Sequence, residues 1–200
     1  MTSNRHGWRA WPGVIYLLSV TTFVTSAVVL YWPTPEFAFL SDQSPVSWLS
    51  SAQLWALALL AFRLGMERVL SFGMSVWLGL AMVGLACDEQ FMLHEQWKYG
   101  CAAWWSACRI EWVTELPMML VGGLGLLTLL TLHRAMPLRP ARILMWSGFA
   151  VGVMALALDL SGWGGALSRY EEGLEVVAEA LFAAALLGLP TGPQSQVHSL

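Results

Sequence analysis

The stretch LACDEQFMLHEQWKYGC, residues 85–101, places Asp88, Glu89, His94 and Glu95 at the end of an uncharged apolar run that begins near Leu70. Carboxylates and imidazoles are the groups that ligate metals and move protons. Inside a membrane-spanning segment such groups are costly and usually mark a site or a pathway. At about 100° per residue, Asp88 and Glu95 lie nearly eclipsed on one helix face, with Glu89 and His94 flanking them. A second stretch, YEEGLEVVAEALF at 170–182, puts Glu172, Glu175 and Glu179 in a stripe about 60° wide by the same geometry. On an otherwise apolar helix that stripe should face the interior of a bundle rather than lipid.

The elements that must carry these residues are legible from composition. The chain has 200 residues, 57% of them hydrophobic and 12% charged, with a mean hydropathy of +0.60. These values indicate an integral membrane protein rather than a soluble domain. About six apolar segments approach the length a bilayer requires: Trp11 to Trp32, Trp48 to Leu64, Leu70 to Trp97, Thr114 to Leu132, Ile143 to Leu160 and Glu172 to Leu189. Their continuity suits helices and not the alternating strands of a β-barrel. The expected fold is all-α: one six-helix transmembrane domain over residues 1–189, followed by a disordered tail over 190–200. The first segment follows Arg5 and Arg9 as a signal peptide would, but its uncharged stretch is too long for a cleaved leader and is expected to remain as an anchor.

Basic residues orient the bundle. With both termini cytoplasmic, Arg5, Arg9, Arg63, Arg68, Arg134, Arg139 and Arg142 fall inside, whereas Lys98, Arg109 and Arg169 fall outside. Of the thirteen acids only Glu67 then lies on the cytoplasmic side. The others, Glu36, Asp42, Asp88, Glu89, Glu95, Glu111, Glu115, Asp159, Glu171, Glu172, Glu175 and Glu179, map to the outer loops or the outer half of the bilayer. Cys101 and Cys108 share the outer loop CAAWWSAC, where a disulfide is feasible and two free thiols are the alternative. Cys87 reads as a small packing residue.

Structural roles compete with chemical ones at several of these acids. Glu171 closes a capping box with Ser168 in SRYE. Glu115 sits at a helix start beside Pro117, where it complements the helix dipole. Asp159 lies near a helix C-terminus, where the dipole disfavours an anion, and so requires a partner. A polar network with Arg109, Arg169 or Lys98 would account for the remainder.

Three function classes could use the cluster. The favoured one is a divalent-metal site drawn from Asp88, Glu89, His94, Glu95, Glu115, Asp159, Glu172, Glu175 and Glu179, following the logic of carboxylate-bridged helix bundles. Those bundles use Glu-x-x-His twice, and this cluster offers one imidazole, so oxygen-rich coordination favours iron, manganese or calcium over zinc. The second class is metal-free acid/base chemistry on a lipid or hydrophobic small molecule. The third is proton or cation translocation, or service as an accessory subunit of a membrane complex. The runs VGGLG at 121–125 and SGFAVG at 147–152 permit close packing within the bundle, in a homo-oligomer or with a partner.

CDEQFMLHEQ together with YEEGLEVVAEALF resembles a motif pair of uncharacterised polytopic membrane proteins of bacteria, which carry an acidic pair ahead of His-Glu and a Glu-rich last helix. The resemblance implies that the two helices form one site in a bacterial membrane, and the orientation set by the basic residues then puts that site on the periplasmic side of the inner membrane. HEQW, EWVTELP, HRAMPLRPAR and ALALDLSGW loosely resemble, over about half the chain, the order of motifs in the sterol isomerase family. That family uses intramembrane His and Glu for double-bond migration. This chain departs from it in the spacing around the His and in its acidic final helix, so no mechanism is carried over. Of twelve tryptophans, Trp32, Trp48, Trp97, Trp104, Trp105, Trp112 and Trp163 fall at the outer interface as an aromatic belt among membrane lipids. Trp104 and Trp105 could alternatively form a lid over a hydrophobic ligand. A net charge of -3 with scattered basic residues argues against nucleic-acid binding.

Overall fold

The computed structural model describes residues 10–39, 44–136, 138–160 and 168–190, most of which are helical, with no strand among them. The helices are α1 (Ala10–Leu30), α2 (Pro45–Met66), α3 (Phe72–Phe91), α4 (Leu93–Gly100), α5 (Glu111–Thr114), α6 (Leu116–Ala135), α7 (Arg139–Leu160) and α8 (Ser168–Leu187). Local chemistry sets several starts. Ser44 and Ser71 cap α2 and α3 by accepting from the backbone N–H three residues on, and Pro45 supplies the first helical position of α2. The tail from residue 191, together with Arg5, Arg9, Asp42 and Trp163 and the side chains of Glu111, Ser168 and Arg169, lies outside the described residues.

Five helices, α1, α2, α3, α6 and α7, are long and apolar enough to cross a membrane. Such a set indicates an integral membrane protein. The sixth expected span corresponds to α8, which is equally long but carries Glu171, Glu172, Glu175 and Glu179. Charge of this density needs company, and α8 is the helix most wrapped by others, packing on α1, α2 and α7. Gly13 of α1 sits so close that a Cβ there would lie 3.1 Å from the Ala184 carbonyl, and one on Gly148 of α7 would lie 3.0 Å from that of Ala178. The run SGFAVG thus serves contact with α8 within the chain. By contrast, large apolar side chains of α1, α3 and α6, among them Leu18, Leu80, Leu120 and Leu127, are exposed.

The third expected span does not continue to Trp97. It ends at Phe91, because Met92 adopts a left-handed conformation (φ 52°, ψ 45°), and α4 starts in a new direction. Asp88 therefore does not share a continuous helix face with Glu95.

Beyond the break, α4, α5 and the intervening turns form a small cap closed by a Cys101–Cys108 disulfide with a Cα–Cα distance of 5.8 Å. Both cysteines are buried with Val113, and the Trp97 indole N–H donates to the Val113 carbonyl at 3.2 Å. The crosslink spans a sequence separation of 7. A loop of that size is worth about 2 kcal/mol of constraint in the entropic account. Reduction should therefore lower hydrogen-exchange protection of the cap by up to about that amount, leaving α2 and α8 protected. Equal loss in α8 would show that the cap is not an independent unit. Trp32, Trp48, Trp104, Trp105 and Trp112 are exposed, as expected of an aromatic belt.

Candidate functional site

Three carboxylates converge where α3 meets α8. Glu89 comes from the last turn of α3, and Glu172 and Glu175 from successive turns of α8. One oxygen of each lies within 4.8 Å of the others. Each is half-buried, and the Ser47 hydroxyl of α2 donates to Glu89 Oε1 at 2.8 Å.

Glu179, one turn further along α8, does not join this group directly. It is 8% exposed and accepts from the Ser50 hydroxyl at 2.8 Å on one oxygen and from the Gln53 amide at 3.0 Å on the other. The Gln53 amide also donates to the Val176 carbonyl at 3.1 Å, and its oxygen accepts from the Tyr16 hydroxyl at 3.1 Å. Those partners fix which way the amide points, so its N–H groups face Glu179.

Asp88 turns to the other side of the helix break. One of its oxygens accepts the His94 backbone N–H at 2.8 Å, and the other faces His94 Nδ1 at 2.8 Å. A carboxylate accepting at the first turn of a helix is a natural cap, and here the capped helix is α4. That pairing rewards the left-handed turn at Met92. The Asp88 hydrogen bond is the largest influence on His94 and holds its pKa above the ordinary imidazole value. Burial opposes the rise, and the negative charges of Asp88, Glu95 and Asp159 add to it. Because the folded pKa is raised, the stabilisation is fully present below about pH 6.5 and is lost as pH rises through the folded value. The α3–α4 corner should accordingly loosen on the alkaline side. Asp88→Asn should move the His94 titration, followed by NMR of isotopically labelled histidine, to lower pH; an unmoved midpoint would refute the assignment.

The remaining candidates settle around a cation. Lys98 of α4 pairs with Glu115 at 3.1 Å and with Asp159 at 3.3 Å, tying α4 to the junction between the end of α5 and the start of α6 and to the end of α7. Asp159 thus has the partner that its place near a helix C-terminus demands. The Glu95 side chain forms no ion pair among the described residues, although its charge lies near His94. Of the nine residues expected to form one centre, the structure brings together Glu89, Glu172 and Glu175. It pairs Asp88 with His94, assigns Glu115 and Asp159 to Lys98, and places Glu179 in an adjoining network.

Sequence reasoning missed Ser47, Ser50, Gln53 and Tyr16. A signal was available: Ser44, Ser47, Ser50 and Gln53 recur every three residues along or just ahead of an apolar span, which places polar groups along one side of α2.

The donor set around the three carboxylates is entirely oxygen, since the imidazole is held by Asp88 at the corner. Hard cations bind oxygen at about 2.0–2.6 Å, so donors on opposite sides of one ion lie about 4–5 Å apart. A group with ligand oxygens no further apart than 4.8 Å fits that requirement. No protein-family model, no curated protein and no solved structure matches this chain.

Proposed function

We propose that this chain is an integral membrane protein that holds a hard divalent cation at Glu89, Glu172 and Glu175, in the outer half of the bilayer on the periplasmic side. The observation that supports this most directly is the convergence of three carboxylates from two helices within 4.8 Å. Like charges at that distance repel by several kcal/mol in a medium of intermediate dielectric, and a bound cation reverses the sign of that interaction. Oxygen-only coordination favours manganese, calcium or iron over zinc. Membrane lipids surround the exposed faces of α1, α3 and α6. A lipid or other hydrophobic molecule is the substrate class if the ion is catalytic.

Elemental analysis of protein purified in mild detergent without chelator tests the reading, and about one equivalent of metal per chain is expected. Protein that is metal-free and also fails to take up Mn2+ on equilibrium dialysis rejects it. The Asp88–His94 pair supports a second reading, metal-free acid/base chemistry on a lipid. A carboxylate on Nδ1 leaves Nε2 as the proton acceptor. Folded, metal-free protein that retains a bound lipid would favour it.

A further inference from the structure

Nothing in the sequence from Asp88 to Tyr99 obliges a helix to stop. It holds no glycine or proline, and its leucine, methionine, glutamate and glutamine residues are good helix formers. The break nevertheless puts Met92 at φ 52°, a conformation that is costly for a residue with a Cβ and free for glycine. Side chains must hold it there. Asp88 gives both oxygens to His94, one to the backbone N–H and one to Nδ1, each at 2.8 Å. The Gln96 amide donates to the Phe91 carbonyl at 2.7 Å, which an unbroken helix would pair with the Glu95 N–H.

One of these contacts depends on charge. A hydrogen bond from a charged imidazole to a carboxylate is about twice as strong as a neutral one. The charged and titratable groups around His94, among the described residues, are Asp88 of α3, Glu95 and Lys98 of its own helix, Asp159 of α7 and Glu171 of α8. All but Lys98 are carboxyl groups, and Lys98 is already shared by Asp159 and Glu115. A charged His94 is therefore the second positive group that holds α4 in place. A neutral one leaves Glu95 near Asp159 and Glu171 with Lys98 alone to offset them.

We propose that the α3–α4 corner is a proton-operated hinge, broken at Met92 while His94 is charged and continuous through α4 when it is neutral. Straightening draws Lys98 off Asp159 and carries the disulfide-closed cap with it. Because the charged form belongs to the broken state, low pH favours the break and high pH the continuous helix. The hinge stands independently of the cation-site reading.

The test measures the distance between spin labels at residues 99 and 154 of the full chain in lipid nanodiscs. The labels are attached through ketone-bearing amino acids, which leaves the native cysteines untouched. Tyr99 of α4 and Met154 of α7 are both exposed. Tyr99 lies seven residues past Met92, a lever of about 10 Å, so a turn of about 30° moves it about 5 Å. Between about pH 5 and pH 9 the wild-type distance should shift by at least that amount, with helix content by circular dichroism steady or slightly raised. His94→Gln should hold the high-pH distance throughout, and His94→Arg the low-pH distance. Met92→Gly, which removes the backbone cost and weakens a continuous helix, should favour the broken form about tenfold and keep it to about one pH unit higher. A wild-type distance that does not move overturns the hinge, as does a shift that persists in both His94 variants. A shift accompanied by loss of helix also overturns it, because the corner then melts instead of straightening.

Discussion

Glu89→Gln combined with Glu175→Gln should abolish measurable Mn2+ binding while making the metal-free protein more resistant to thermal unfolding. The two effects have one cause. Each glutamine keeps the shape of the side chain and an oxygen, and the Ser47 hydroxyl can still donate to residue 89. What is removed is negative charge, a unit at each position. In a half-buried site one unit charge at about 4 Å is worth about 4 kcal/mol against another, and more against a divalent ion at ligand distance. Binding should thus weaken by more than about a hundredfold for each carboxylate replaced. Without metal, the same substitutions relieve repulsion among Glu89, Glu172 and Glu175. A purely structural polar network predicts the opposite sign for stability. The measurement is paired: isothermal titration with Mn2+ and a melting curve in detergent for each variant. Loss of stability in the metal-free double variant would defeat the cation-site reading, even if binding were also lost.

The helices that carry these residues were readable because apolar runs of bilayer length are a strong signal, and each of the six runs overlaps a long helix, although the third outlasts α3 and crosses onto α4. The stripe of Glu172, Glu175 and Glu179 was readable for a related reason. It lies wholly within a regular helix, where about 100° per residue holds without interruption. The end of α3 was not readable. No glycine or proline lies between Asp88 and Glu95, so nothing in the local pattern marks Met92 as a break. The break arises from a contest between a helical hydrogen bond and a side chain: the Asp88 carboxylate takes the His94 N–H for itself. Its consequence for the site is a sorting of neighbours. Glu89 stays on the α3 face toward α2 and α8, whereas Asp88 turns to the cap.

Lys98 shows a second limit. Its partners lie in other elements, Asp159 being 61 residues away, and no periodicity relates them. The cation was countable from sequence and its partners were not. The polar side of α2 was overlooked for a different reason. Serine and glutamine carry no charge, and in an apolar helix they pass as small or neutral filler until a buried carboxylate is found opposite them. Their three-residue spacing carried the information. Only the placement of Glu179 says what it is for.

Gln53→Leu should cost about 2 kcal/mol of folding stability, although it adds apolar surface to an apolar helix. Gln53 is buried and makes three side-chain hydrogen bonds: two N–H donations, to Glu179 and to the Val176 carbonyl, and one acceptance from Tyr16. Leucine leaves one Glu179 oxygen and the Tyr16 hydroxyl without those bonds. A buried polar group stripped of its partner loses about 1–3 kcal/mol, whereas removing both partners together is close to neutral. Interhelical hydrogen bonds in membranes lie toward the low end, averaging about 0.6 kcal/mol, which sets the expected total for several bonds near 2 rather than 6. The asymmetry supplies the control. Gln53→Leu with Tyr16→Phe and Glu179→Met removes three members of the network together, leaves the Ser50 hydroxyl to bond the backbone of its own helix, and should recover most of the lost stability, as measured by equilibrium unfolding in mixed micelles. A loss below about 0.5 kcal/mol in the single variant, or no recovery in the triple, would mean that the network is not coupled as its geometry indicates.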